Sequence, residues 1–240
     1  MFKFFQKFSL NYINYRLHQF FYFKQIIIRD NFKLLIDKNN VPLYNLKGLL
    51  IKFDNHEKDE RNLIEKFIEP ENTLELGCSI GILSLYIKRI IKNKNLISID
   101  ANEKAIEYCK DLFKLNSLSN YEFIHHKIGG GDFIINKKNY LSSQSNWEKI
   151  DKNYSKNFLK DIIDKNKIKN LVIDIEGMEQ FLFDFLDISQ IKTIFIELHP
   201  DIYGQKNSYE IIKNLNFNNF YSTAKINNNY CFRKKENGLF

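Results

Sequence analysis

The stretch "TLELGCSIGILSL", residues 73–85, decides the fold. A short apolar strand runs into Gly77, and Gly81 then opens "ILSLYIKRII" (82–91), whose apolar residues recur at helical spacing. Gly77 lets the chain turn sharply and lets a ligand approach the backbone. Gly81 lets the helix pack close to the strand, and free amides at the helix start attract electronegative groups. Glu75 stands two residues before the first glycine, and small Cys78 and Ser79 lie between the two glycines.

Outward from this turn the pattern alternates. "NLISID" (95–100) is a strand and "NEKAIEYCKDLFKLN" (102–116) a helix; "YEFIHHKI" (121–128) is a strand ending near a glycine turn at 129–131. An irregular section, 137–155, precedes a helix near 156–165. "NLVIDI" (170–175), "MEQFLFDFL" (178–186), "IKTIFIEL" (191–198) and "SYEIIKNLN" (208–216) continue strand, helix, strand, helix. "NFYSTAKI" with "NYCFRKK" closes the chain as an antiparallel hairpin. Strands joined by helices require a parallel sheet covered on both faces. Ligands in such sheets sit beyond the carboxyl ends of the strands.

At one of those ends is Asp100, 23 residues after Gly77, with Ala101 beside it. An acid there is placed to grip the two hydroxyls of a ribose. A dinucleotide pocket needs G-x-G-x-x-G; here the run is G-C-S-I-G, with Ser79 at the middle glycine's place. A carboxylate at Glu75 suits a ligand with a positive amino group, so S-adenosylmethionine is favoured over a nicotinamide cofactor. Asp100 also reads as a helix N-cap, which is compatible with ribose binding.

Together, "TLELGCSIGILSL", "ISIDANEKAIEYCKDLFKLN", "NLVIDIEGMEQFLF" and "IFIELHP" resemble the FkbM-type S-adenosylmethionine-dependent methyltransferases over roughly residues 48–223. The most specific piece is D-I-E-G-M-E, 174–179, against the family's D-x-E-G-x-E; Cys78 and Ser79 stand where the family often has Ala and Asn. The resemblance implies a class I, Rossmann-like α/β fold: a seven-stranded, mostly parallel sheet with an antiparallel C-terminal hairpin. It implies O-methylation of a hydroxyl on a sugar, glycan precursor or related small metabolite. The expected cofactor set is Glu75, Gly77, Cys78, Ser79, Gly81, Asp100, Ala101 and Asp174.

Asp174, Glu176 and Glu179 crowd one strand-to-helix turn, and Glu197 and His199 end the next strand. If the two strands are neighbours, Asp174, Glu176, Glu197 and His199 converge as the catalytic group. One of them takes the acceptor's proton during transfer, or two or more hold a divalent cation that acidifies it. Acids at a helix start also suit the helix dipole, which gives Glu176 and Glu179 a plain structural reading. Cys109 reads as core. His125 and His126 lie near the adenine side, and Trp147 lies in a segment that suits a substrate lid.

The composition bounds the rest. A chain of 240 residues, 44% hydrophobic and 27% charged, suits one domain (48–240) with an N-terminal appendage (1–47). Three scattered cysteines argue against a zinc site or a disulfide framework and for a reducing cytoplasm. No apolar run reaches the ~20 residues that span a bilayer. Residues 3–28 read as an aromatic, basic helix that packs on the domain or a second subunit, or lies on a membrane surface. Two extended runs, 32–37 and 48–53, suit a hairpin. Of the net charge of +7, residues 1–30 carry +4, so nucleic acid is not expected as a partner. The three prolines are isolated, which excludes the Asn/Asp-Pro-Pro turn of amine-directed nucleic-acid enzymes. An RNA methyltransferase and a non-catalytic subunit of a glycan-assembly complex remain the alternatives.

Overall fold

The computed structural model describes residues 25–37, 49–50, 53–129 and 152–235. It opens with a hairpin, β1 (Gln25–Arg29) and β2 (Phe32–Ile36), which pair antiparallel from Gln25↔Ile36 to Arg29↔Phe32. Here the structure corrects the sequence reading in two places. The helix expected over 3–28 does not extend to residue 28, since 25–28 are strand; residues 1–24, with the proposed membrane or subunit contact, lie outside the described residues. Residues 32–36 pair with 25–29 rather than with 48–53, where 49–50 are helical and 53–55 form a turn of 3-10 helix. The reason is the two-residue link Asp30-Asn31, both in the left-handed region (φ 47° and 67°), which matches the twist of a tight hairpin.

From there the strands follow the expected order. The elements are α1 (Lys58–Phe67), β3 (Thr73–Leu76), α2 (Ile82–Ile91), β4 (Leu96–Asp100), α3 (Glu103–Leu115), β5 (Tyr121–His125), α4 (Lys152–Asn166), β6 (Asn170–Ile173), α5 (Glu179–Leu182), β7 (Thr193–Glu197), α6 (Pro200–Tyr203), α7 (Gln205–Phe217), β8 (Phe220–Ile226) and β9 (Asn229–Lys234). The helix expected over 178–186 is only the four residues of α5. The helix expected near 156–165 begins earlier, at Lys152.

The main sheet has seven strands in the order β5-β4-β3-β6-β7-β9-β8. β5, β4, β3, β6 and β7 are parallel, and β9 joins β7 antiparallel. This is the expected sheet. Alternate strand residues feed two cores. Val172 and Phe195 point toward α1, α2 and α3, whose Leu63, Leu85 and Phe113 lie in the same cluster. Leu171, Ile173, Ile194 and Ile196 point the other way, toward Leu159, Leu182 and Leu215 of α4, α5 and α7. The β1–β2 hairpin covers α3: Tyr108 Oη donates to the Leu35 carbonyl at 2.6 Å, and Asn116 exchanges hydrogen bonds with Lys33 at 2.9 and 2.8 Å.

The ends of β3 and β6 touch where the site forms. Gly77 has φ 87°, and a Cβ on it would lie 1.6 Å from the Asp174 carbonyl oxygen. No rotamer change relieves a clash with backbone. Gly77→Ala is therefore expected to lower stability by about 3 kcal/mol or more, read by denaturant unfolding. Gly204→Ala, at the same φ but with nothing within 4 Å of its added carbon, is expected to cost less.

Candidate active site

The loop between β3 and α2 needs three left-handed residues, Gly77 (87°), Ser79 (47°) and Gly81 (74°). Its tight turn is closed by Gly81 N–H donating to the Cys78 carbonyl at 2.7 Å. Asp100, at the end of β4, ties this loop to the next: Oδ2 accepts from Ser79 N–H and Oδ1 from Asn102 N–H, each at 2.8 Å. Burial raises the Asp100 carboxyl above its usual range, against the pull of those backbone donors. The N-cap of α3 is Asn102, not Asp100; its Oδ1 accepts from Lys104 and Ala105. Ala101 turns its carbonyl to His125 Nε2 at 3.1 Å.

Glu75 lies one layer below this surface. The register sets Ser98 and Val172 on either side of it, and it faces α2. It is 1% exposed, and its Oε2 accepts from Ser84 Oγ at 2.7 Å and Ser98 Oγ at 2.5 Å. Its Oε1 is buried with no hydrogen-bond partner. Burial pushes its carboxyl up to about 7. An acid at the end of β4, a glycine-lined turn and an unpartnered buried carboxylate oxygen beneath them fit a ligand with a ribose diol and a positive amino group.

The second group of residues forms where β6 and β7 end. Asp174, Glu176, Glu197 and His199 come together as expected from their strand positions: His199 Nε2 lies 3.6 Å from Asp174 Oδ1, 3.5 Å from Glu176 Oε2 and 3.9 Å from Glu197 Oε2. Sequence reasoning undervalued Glu179. It is fully buried, and its carboxylate accepts from Ile175 N–H and Gly177 N–H at 2.9 Å each. His199 Nδ1 faces it at 3.2 Å, a contact of charge rather than an aligned hydrogen bond. Glu179 thus bends the turn into the left-handed conformations of Glu176 (49°) and Gly177 (102°). The sequence signal was available: acids i and i+3 around a glycine, with the second opening a helix.

Crowding dominates the charges here. Burial, then the Glu176 and Glu179 charges, hold the Asp174 carboxyl well above its normal value. Burial, then Asp174 and Glu60, push Glu197 up to about 9. Burial also raises Glu176, against the pull of His199. For His199 burial works downward, but Glu179, Glu176 and Glu197 outweigh it and bring the imidazole to about 9.

Beside this cluster lies a small cleft bounded by α1, β6, β7 and β9. Leu63, Leu83 and Phe195 are among its apolar walls, and Asp174, Glu197 and Glu60 supply carboxylates. Glu60 lies beside Glu197 along this cleft. Nothing in the spacing of α1 marked Glu60, since the sheet alone brings it to β7. His126 stacks on Phe158 at 3.9 Å between ring centres, and Cys109 is core, as read. Trp147 and the expected lid lie outside the described residues.

This strand order, with a glycine turn after its central strand, is the class I, Rossmann-like methyltransferase fold. No family model matches the chain. Among curated proteins it is 24% identical over 184 residues to "Ribosomal RNA small subunit methyltransferase C" of Buchnera aphidicola, covering 71% of this chain and 55% of that protein. It is 30% identical over 82 residues to "Release factor glutamine methyltransferase" of Fusobacterium nucleatum, covering 31% of this chain and 23% of that one. The chain thus spans about half the length of the first relative and less than a quarter of the second. Among solved structures, M. jannaschii TYW2 in complex with AdoMet is 14% identical, with a TM-score of 0.49 and coverage of 88% and 87%.

These relatives correct two expectations. A sugar or glycan hydroxyl as acceptor, and the exclusion of nucleic acid, do not stand beside relatives named for ribosomal RNA and for a release-factor glutamine. The missing Pro-Pro turn and the discounted charge were too weak to exclude an RNA acceptor. Among the described residues, no helix is long and apolar enough to cross a membrane.

Glu75 gives a pH test of the site. Its folded-state value, about 7 against 4.5, means that the folded protein binds this proton more tightly. Its contribution is therefore fully present below pH 4.5 and is lost as pH rises through 7. Relative to Glu75→Gln, the wild type is expected to lose about 3 kcal/mol of unfolding free energy between pH 4.5 and pH 8. Denaturant titrations of both proteins across that range check it.

Proposed function

We propose that the protein is an S-adenosylmethionine-dependent methyltransferase whose acceptor is RNA. The observation that carries this reading is the 184-residue match to a ribosomal RNA methyltransferase, which runs through 71% of the chain. The cleft supports it from the side of chemistry. Carboxylates at Glu60, Asp174 and Glu197 along the cleft suit an acceptor that carries N–H donors. The net charge of +7 regains weight, because phosphate contacts supply most of the affinity of such proteins. The likeness of residues 174–179 to the FkbM-type turn enters as a shared cofactor-side device, without that family's acceptor.

Gly77, Cys78, Ser79 and Gly81 would hold the methionine end of the cofactor, and Asp100 with Ala101 the ribose. When bound, S-adenosylmethionine supplies a methyl group on a positively charged sulfur. Asp174 stands between the β3–α2 loop and the cleft, with its Oδ1 buried and free of hydrogen bonds. A positive group beside Asp174 would offset part of the crowding that raises its carboxyl, which favours the ionised form. That carboxylate orients the acceptor N–H and receives its proton as the nitrogen forms its new bond. Glu197 and Glu60, side by side along the cleft, would face further donors of the acceptor.

Labelled methyl transfer to total RNA, ribosomal subunits, a glutamine-bearing release-factor peptide and a sugar-nucleotide panel tests this. Label is expected in RNA. Asp174→Asn is expected to slow transfer by about 10²–10⁴-fold. RNA affinity is expected to fall about 10³-fold or more between 50 and 200 mM salt. Label confined to the peptide or the sugars, or RNA binding insensitive to salt, would overturn the proposal.

A further inference from the structure

The cluster at the ends of β6 and β7 is short of positive charge. Among the described residues, His199 is the only basic side chain within 4.0 Å of Asp174, Glu176, Glu179 or Glu197. A group of acids alone would mean little, but His199 adds an independent observation. It is 8% exposed, its buried Nδ1 makes no aligned hydrogen bond, and its Nε2 faces three carboxylates at once. Those contacts, 3.5 to 3.9 Å, are too long for charge-assisted hydrogen bonds of about 2.8 Å.

We propose that Asp174, Glu197 and His199 hold a divalent cation. One ligand atom from each lies within 4.8 Å of the others. Ligands around a cation with bonds of about 2.0–2.2 Å stand about 3.0–3.4 Å from their neighbours, so closure needs only small side-chain movements. Glu179 completes the arrangement. Held by two backbone N–H groups, it faces Nδ1 and orients the ring, leaving Nε2 for the cation, as carboxylates behind metal-bound histidines do. Two carboxylates and one imidazole, with no thiolate, make a mostly oxygen donor set that suits Mn²⁺ rather than the softer metals that thiolates select. Asp174 and Glu197 also line the cleft, so the cation sits at its mouth with positions open to an acceptor atom. The site depends on these side chains and not on the acceptor being RNA.

The test uses the full chain, stripped with chelator, and Mn²⁺ alone, with neither RNA nor cofactor present, so that its result is separate from that of the methyl-transfer assay. Free Mn²⁺ is followed by EPR, and pulsed EPR reads nitrogen coupling to the bound ion. One site is expected, with nitrogen coupling that disappears in His199→Ala. Glu197→Gln is expected to weaken binding by at least about tenfold, and Glu179→Gln by about 10–100-fold. Glu210→Gln, on the exposed face of α7, is expected to leave it unchanged. Thermal melts without metal show which variants are folded, and only those are scored; Glu197→Gln, partly exposed, is the variant on which the outcome turns. No binding to the wild type, equal binding to folded Glu197→Gln, or a bound ion without nitrogen coupling would each overturn the proposal and leave the acids facing the cofactor's own positive charge.

Discussion

The site depends on one close approach of backbone to backbone. β3 and β6 are neighbours in the sheet, and the chain leaves both at the same level: Asp174 N–H donates to the Leu76 carbonyl at 2.9 Å, and Gly77 N–H to the Ile99 carbonyl at 2.8 Å. Gly77 then passes the Asp174 carbonyl with no room for a side chain. Any wider separation would part the cofactor turn from the acidic turn. A glycine in the left-handed region thus joins the two halves of the chemistry, although it contributes no functional group.

A buried carboxylate does comparable work on the acidic side. Glu179 has no solvent contact and satisfies two backbone amides of the turn it closes. Its negative charge, in turn, draws His199 toward it. Isolated in this interior, Glu179 would be costly; hydrogen-bonded and facing an imidazolium, it is stabilised where it stands. The accumulated acid leaves Asp174 and Glu197 holding protons more tightly than carboxyls in water.

Much of this was legible in the chain. The alternation of strand and helix, the glycine turn, Asp100 and the convergence of Asp174, Glu176, Glu197 and His199 follow from periodicity and strand order. The hairpin was misread because aromatic spacing at helical intervals ran on into Ile26–Ile28, hiding the Asp30-Asn31 turn signal. Glu60 and the cleft were not visible, because α1 reaches β7 only through packing on the sheet. The acceptor was misassigned because a resemblance in the cofactor turn carries little information about the opposite wall of the pocket.

What the sequence by itself determined is the layered sheet and the level at which its ligands lie: period-two strands and period-3.6 helices leave one way of burying both faces, and glycines and acids mark the strand ends. The tertiary structure alone decided which carboxylates share a site, which of them are buried, and how far they hold their protons. Those properties depend on distances between segments remote in the chain, and on the exclusion of water from the space between them, and neither has a local signature in the order of residues.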